Sequence, residues 1–293
     1  MNKQLTPRKI ARAMQVSEAS LKRWCDRGLI PSVRTAGGHR RIELGAVLKF
    51  LRESGRPLPA PELLGLPSAV GKGTQVVSGA AREATAALAA GDDERFGSLM
   101  YSLYLAGHEI AEIGDEVIAR AFAQLGDRWQ HGALAVYEER RACEVVLRVI
   151  HELRRALPHP EAKAPLAIGG TPSGDPYSLP NALVELALRE AGWHTVNLGC
   201  GLPVATIADA VTDLRPALLW LSISGSAVAE EILDGAAKLV AATRSRDVHI
   251  VVGGRAATDS VLAVLPGAKT VASLRELSGI ARAMITQQQT PAD

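Results

Sequence analysis

The sequence predicts a multidomain protein: a winged helix-turn-helix head, a four-helix bundle, and a doubly wound α/β domain of the Rossmann or flavodoxin-like kind. Two short helix patterns near the start lead into the glycine- and arginine-rich turn Thr35-Ala36-Gly37-Gly38-His39-Arg40-Arg41. From Val76 to Leu157 the chain is alanine-rich with helical period, and after Pro165 short apolar runs alternate with helical segments. These shifts divide it into a head at 1–54, a linker at 55–75, a bundle at 76–157 and an α/β domain at 165–288.

The head follows from local chemistry. Thr6 and Pro7 give a capping oxygen and a preset φ, and Ile10, Ala11, Met14 and Val16 supply an apolar stripe. Ser17 caps a second helix in which Ala19, Leu21 and Trp24 are expected inside, leaving Glu18, Ser20, Lys22 and Arg23 to face a major groove. Gly28 ends it. Residues 1–56 hold 13 Lys/Arg and 4 Asp/Glu, a balance of +9, so the overall +2 hides a basic head on an acidic body. A phosphate backbone favours such a head, because neutralised phosphates release counterions.

The order helix, turn, helix, Arg27-Gly28-Leu29-Ile30-Pro31, then Gly37-Gly38-His39-Arg40-Arg41-Ile42 and a further helix resembles the DNA-binding domain of the MerR family over about residues 4–54. The resemblance implies that Lys22, Arg23, Arg34, His39, Arg40 and Arg41 touch double-stranded DNA, from the groove helix and the wing. Ile42 stands where the family commonly has an aromatic.

Gly55 to Gly73 contains Pro57, Pro59, Pro61 and Pro67, a composition that favours a semi-stiff spacer, so the head is expected to be tethered without rigid docking. Four helices are then expected, at Val76 to Ala90, Asp92 to Ala106, His108 to Arg128 and Ala135 to Ala156, with short connections that imply an antiparallel bundle. Within them lie Trp129, His131 and the run Glu139-Arg140-Arg141. A tryptophan near a helix end is usually core, and a Glu-Arg pair usually a wet face.

In the last domain strands are expected at Leu166 to Gly170, Thr195 to Leu198, Ala217 to Ile223, His249 to Val252 and Thr270 to Ala272, with helices between and after them. Strict alternation implies a parallel sheet covered on both faces, with ligands outside the carboxyl ends of the strands. Small and polar residues gather there: Gly169 to Tyr177, Gly199-Cys200-Gly201, Ser222-Ile223-Ser224-Gly225-Ser226, and Gly253-Gly254-Arg255. Gly199-x-Gly201 is a poor dinucleotide fingerprint, since the third glycine is missing.

That set resembles the cobalamin-binding domain, which carries Asp-x-His-x-x-Gly, a Ser-x-Leu-like or Ser-x-Ser element, and Gly-Gly after its first, third and fourth strands. Asp175, Tyr177, Ser222, Ser224, Gly253 and Gly254 stand in those places. With the head and bundle, the chain is similar to light-responsive MerR-type repressors of the CarH, CarA and LitR kind. In that family a bundle Trp, nine residues, then Glu-His cap the corrin; Trp129 and Glu139 match the spacing.

Two departures remove metal-directed nitrogen: Tyr177 replaces the lower cobalt ligand, and Arg140 replaces the bundle histidine. Three occupancies remain open. The domain holds cobalamin with the vitamin's own base on cobalt, or it is empty and serves assembly, or it has kept a tetrapyrrole slot for a metal-free bilin such as biliverdin. The bilin ranks first. Asp175 or Glu139 would accept from pyrrole nitrogens, and Arg140, Arg141 or Arg255 would pair with propionates. His108 and His131 are candidate upper ligands for cobalt. Cys143, a turn beyond Glu139, is a core thiol or a chromophore attachment point.

The mechanism expected is a chromophore clamped between bundle and sheet domain whose state, light-set as the resemblance implies, alters assembly into dimers or tetramers and the number of heads on DNA. The cysteines Cys25, Cys143 and Cys200 form no C-x-x-C pair, so neither a disulfide framework nor a zinc site is expected. With no spanning apolar run and no signal-peptide pattern, a cytoplasmic protein without a membrane partner is expected. No nucleophile, base and oxyanion constellation points to an enzyme.

Overall fold

The computed structural model describes residues 4–225 and 228–289, so Ser226 lies outside the described residues. The chain forms two compact units, Met1–His159 and Pro160–Asp293.

In the first unit, α1 (Pro7–Ala13) starts at Thr6, whose side chain accepts the Lys9 amide, and buries Ile10, Ala11 and Ala13. Helix α2 (Glu18–Asp26) starts at Ser17, whose hydroxyl accepts the Ser20 amide at 3.0 Å. Among its side chains only Leu21 is fully buried; Ala19, expected inside, is exposed, and Trp24 is half-buried against Phe50, ring centroids 4.9 Å apart. Strands β1 (Gln4–Leu5), β2 (Val33–Arg34) and β3 (Arg40–Glu43) form an antiparallel sheet in the order β1-β3-β2. Helix α3 (Leu44–Ser54) runs to Gly55, which takes the left-handed φ of 62° that stops it.

The proline-rich segment is not the free spacer that its composition predicts. Leu58, Leu64, Leu66 and Val70 are buried, and the Ala60 amide donates to the Ala13 carbonyl at 3.1 Å. Prolines and glycines break helices locally, but the leucines spaced among them find a core, and burial outweighs chain stiffness.

The bundle comprises α4 (Ala80–Ala90), α5 (Asp93–Leu105), α6 (Ile110–Ile113), α7 (Arg120–Gln130) and α8 (Val136–Ala156). A π-helical turn at Gly114–Ala119 joins α6 to α7, so the expected third helix is one interrupted rod. The head is docked on this bundle. A Cβ at Gly45 would lie 2.7 Å from the Ala156 carbonyl oxygen, so α3 can approach the end of α8 only with a glycine there. Arg52 stacks over Tyr104 at 4.5 Å and donates to the Gly107 carbonyl at 3.1 Å.

The second unit holds β4 (Leu166–Pro172), β5 (His194–Leu202), β6 (Leu218–Ser222), β7 (His249–Gly253) and β8 (Lys269–Val271), parallel throughout, in the order β5-β4-β6-β7-β8. Between and after them run α9 (Ser178–Glu190), α10 (Val204–Leu214), α11 (Val228–Arg244), α12 (Asp259–Val264) and α13 (Leu274–Gln289). Alternate residues of β6 serve opposite faces. Leu219 and Leu221 join the core with Ile207 and Leu239, while Leu218 and Trp220 join Leu188 of α9 and Leu277 of α13. The strand order reverses between β4 and β6, the place where open α/β sheets leave a crevice at their carboxyl ends. No helix among the described residues is long and apolar enough to cross a membrane.

Candidate functional site

On the head, α2 presents Lys22 and Arg23 exposed, and Arg23 is steadied by a hydrogen bond to the Ser20 hydroxyl at 3.2 Å. The wing is the β2–β3 hairpin. Its tip closes through the Thr35 amide to the His39 carbonyl at 2.9 Å and the Gly38 amide to the Thr35 carbonyl at 2.8 Å, with Gly38 at φ 79°. Arg34 and His39 are exposed and Arg41 half-buried. Arg40 is otherwise engaged. It donates to Asp26 Oδ1 at 2.7 Å and to the Lys22 carbonyl at 3.4 Å, so its guanidinium ties the wing to the end of α2. The hydrogen bond to Arg40 holds the Asp26 carboxyl below its usual value, and the same bond raises the Arg40 guanidinium. The DNA contact expected at Arg40 thus falls on a guanidinium already paired with Asp26 at the end of α2, a pairing over distance that the sequence alone does not display.

The residues predicted to hold a ligand fall in both units. In the bundle, Trp129 is 48% exposed rather than core, and Val136 and Tyr137 near the start of α8 are exposed as well. His131 is exposed, with Nδ1 at 2.7 Å from the Asp127 carbonyl oxygen. Glu139 is half-buried and Arg140 exposed. Two expectations are corrected here, at His108 and Arg141, and at Cys143 the core-thiol alternative is the one that fits. His108 has both ring nitrogens engaged, Nδ1 with Glu112 at 3.0 Å and Nε2 with the Gln75 carbonyl at 3.1 Å, and is no upper ligand. Arg141 lies across Gly91 and donates to the Ala89 carbonyl at 2.7 Å, closing the end of α4 instead of waiting for a propionate. Burial, with Glu139 adding to it, pushes the Cys143 thiol up to about 11, so it is not a reactive thiolate at neutral pH.

At the carboxyl edge of the sheet, Asp175 is 1% exposed and committed to the backbone. Oδ1 accepts the Tyr177 amide at 3.0 Å, and Oδ2 accepts the amides of Ser224 and Gly225. It therefore clamps the loop after β4 to the loop after β6 across the switch point, and does not offer its oxygens to a pyrrole. The loop is further closed by Thr171, whose hydroxyl donates to the Asp175 carbonyl at 3.1 Å and accepts the Gly201 amide at 3.1 Å.

Around that clamp, Tyr177 is 37% exposed, Ser224 is half-buried, and Arg255 is exposed in the loop after β7. Ser222 is buried at the end of β6, not displayed at the edge. Gly253 pairs with Ser222, and Gly254 turns at φ 109°, where a Cβ would lie 2.2 Å from the Ile223 carbonyl oxygen. Gly254 is required by this crossing of loops, whereas a Cβ at Gly253 would meet only Val271, with its side chain at 3.3 Å.

Sequence reasoning missed a buried polar chain on the α9 side. The Trp220 indole N–H donates to Asn181 Oδ1 at 2.6 Å, Asn181 Nδ2 donates to Asn197 Oδ1 at 2.7 Å, and Asn197 Nδ2 donates to Glu185 Oε2 at 3.2 Å. Trp220 lies directly over Gly169, where a Cβ would fall 2.3 Å from the indole. The available signal was a tryptophan inside a strand that otherwise reads as aliphatic.

Comparison with known proteins agrees with this architecture. Residues 5–55 match a helix-turn-helix domain, 80–154 one B12 binding domain model and 165–272 another. The chain is 26% identical over 302 residues to the HTH-type transcriptional repressor CarA of Myxococcus xanthus, covering 97% of this chain and 98% of CarA. It is 29% identical over 154 residues to the repressor CarH of the same organism, covering 49% of this chain and 47% of CarH. In fold it resembles the Methanosarcina barkeri monomethylamine corrinoid protein, with a TM-score of 0.56 and 18% identity over 71% of this chain and all of that one.

The residues present do not fit a cobalamin held through a protein nitrogen. Tyr177, in the loop after β4, offers a phenol, a poor cobalt donor compared with imidazole.

Proposed function

We propose that this chain, a helix-turn-helix regulator of the CarA and CarH kind, is a DNA-binding transcriptional repressor whose α/β domain takes a tetrapyrrole. The observation that carries the reading is the joining of an exposed basic helix and wing to a chain that matches B12 binding domains over most of its remaining length. It acts by binding and not by turnover, since its clustered polar residues are spent on loop closure.

The occupant lies at the switch point between β4 and β6. Tyr177 offers a phenolic hydroxyl and Arg255 a guanidinium at the rim, partners for pyrrole nitrogens and propionates rather than for cobalt. These groups favour a bilin. A linear tetrapyrrole isomerises under light, so a light-set state needs no metal. Ligand state then controls assembly of copies, and assembly controls DNA occupancy, because one head reads too few base pairs to bind tightly alone.

The test is fluorescence anisotropy of the full chain on a duplex that it has itself selected from a random pool, with biliverdin, with dicyanocobinamide or without ligand, in darkness and under illumination. Ligand or light is expected to change the affinity at least tenfold. Affinity indifferent to every ligand and to light would identify a ligand-independent repressor and contradict the proposal.

A further inference from the structure

Each side of the sheet's carboxyl edge has a different fate. On the loop side Tyr177 and Arg255 are exposed and Ser224 is half-buried. On the α9 side there is no opening. Trp220 is 2% exposed, its ring fills the space in front of Gly169, and its N–H is held by Asn181. Asn181 also donates to the Gly199 carbonyl at 3.3 Å, and Asn197 accepts the Gly199 amide at 2.9 Å, so the same network fixes the end of β5. A Cβ at Gly170 would fall 2.6 Å from the Gly199 carbonyl oxygen. The stretch of β4 at Gly169 and Gly170, short of the strand's end at Pro172, is thus walled by Trp220 on β6 and by the β5 backbone, with the side-chain oxygen and nitrogen of Asn181 and of Asn197 all in hydrogen bonds.

A seal of this kind discriminates between tetrapyrroles by their appendages. A cobalamin carries a benzimidazole ribotide on a phosphate arm. With the base off cobalt, the arm needs a slot beside the ring; with the base on cobalt, it stands between the ring and the loops and keeps the ring from lying flat on them. A bilin or a cobinamide has no such arm. We propose that the carboxyl edge selects tetrapyrroles that lack a nucleotide arm, with Trp220 as the specificity-determining residue. The assignment rests on the reading of this edge as a tetrapyrrole site, and goes beyond it by naming the class of occupant and the residue that excludes the rest.

The experiment is equilibrium binding of the full chain to biliverdin, dicyanocobinamide and hydroxocobalamin, followed by visible absorption in the dark. The wild type is expected to bind at least one armless ligand tenfold or more tightly than hydroxocobalamin. W220G should gain at least tenfold for hydroxocobalamin with the armless ligand little changed, and W220F, which keeps most of the ring volume, should retain the wild-type preference. Should W220G fail to fold, the wild-type ranking and the W220F ranking still decide. Equal affinity of the wild type for hydroxocobalamin and cobinamide overturns the seal while leaving the tetrapyrrole reading intact. A folded W220G that gains nothing for cobalamin overturns the role of Trp220. Failure of the folded wild type to retain any of the three overturns the tetrapyrrole reading itself.

Discussion

Arg40, expected at the DNA, is paired with Asp26 at the end of α2. The carboxyl of Asp26 is lowered, chiefly by its hydrogen bond to Arg40, so the pairing is in force above the ordinary carboxylate range and is lost as the pH falls through the lowered value. Asp26→Asn removes a negative charge beside the groove helix, which by electrostatics alone would strengthen DNA binding. If the pair positions the wing, the affinity instead falls roughly two- to fivefold, the range of an exposed ion pair. Anisotropy at fixed salt decides, and a rise in affinity would show that Arg40 serves better free. Cys143 makes a second residue-scale prediction. Its thiol is raised to about 11, mainly by burial, so at pH 8 iodoacetamide should alkylate the exposed Cys200 well before Cys143, with Cys143 catching up only as the pH approaches 11. Peptide mass spectrometry reads the order, and early modification of Cys143 would restore it as an attachment point.

Elements were legible wherever a local pattern decided them. The five strands of the α/β domain overlap the predicted runs, and the central strand β6 is the clearest because, buried along its whole length, it is almost wholly apolar. What the sequence concealed was pairing over distance: Asp175 with the loop after β6, Trp220 with Gly169, and the leucines of the proline-rich segment with the core. Docking of the head by α3 belongs to this class. Arg52 is its most separable part, since it stacks over Tyr104 and donates to the Gly107 carbonyl without filling the core. Arg52→Ala is expected to lower the stability of the first unit by about 1–2 kcal/mol, read from the denaturant midpoint. An unchanged midpoint would mean that α3 holds to the bundle through Gly45 and its apolar face alone.

Across the whole molecule the net charge is positive in the reader and negative in the remainder, +9 against −7. Such a chain binds DNA through its head while the rest of its surface is repelled from phosphate, so occupancy depends on how many heads are joined. On the proposed reading, assembly is the quantity that a ligand controls. Gel filtration of the full chain with biliverdin or dicyanocobinamide, recorded in the ultraviolet and visible, in darkness and under illumination, tests this most directly. Visible absorbance should travel with the protein, and the elution volume should shift with ligand or with light. A colourless protein peak, of one size under every condition, would contradict the account.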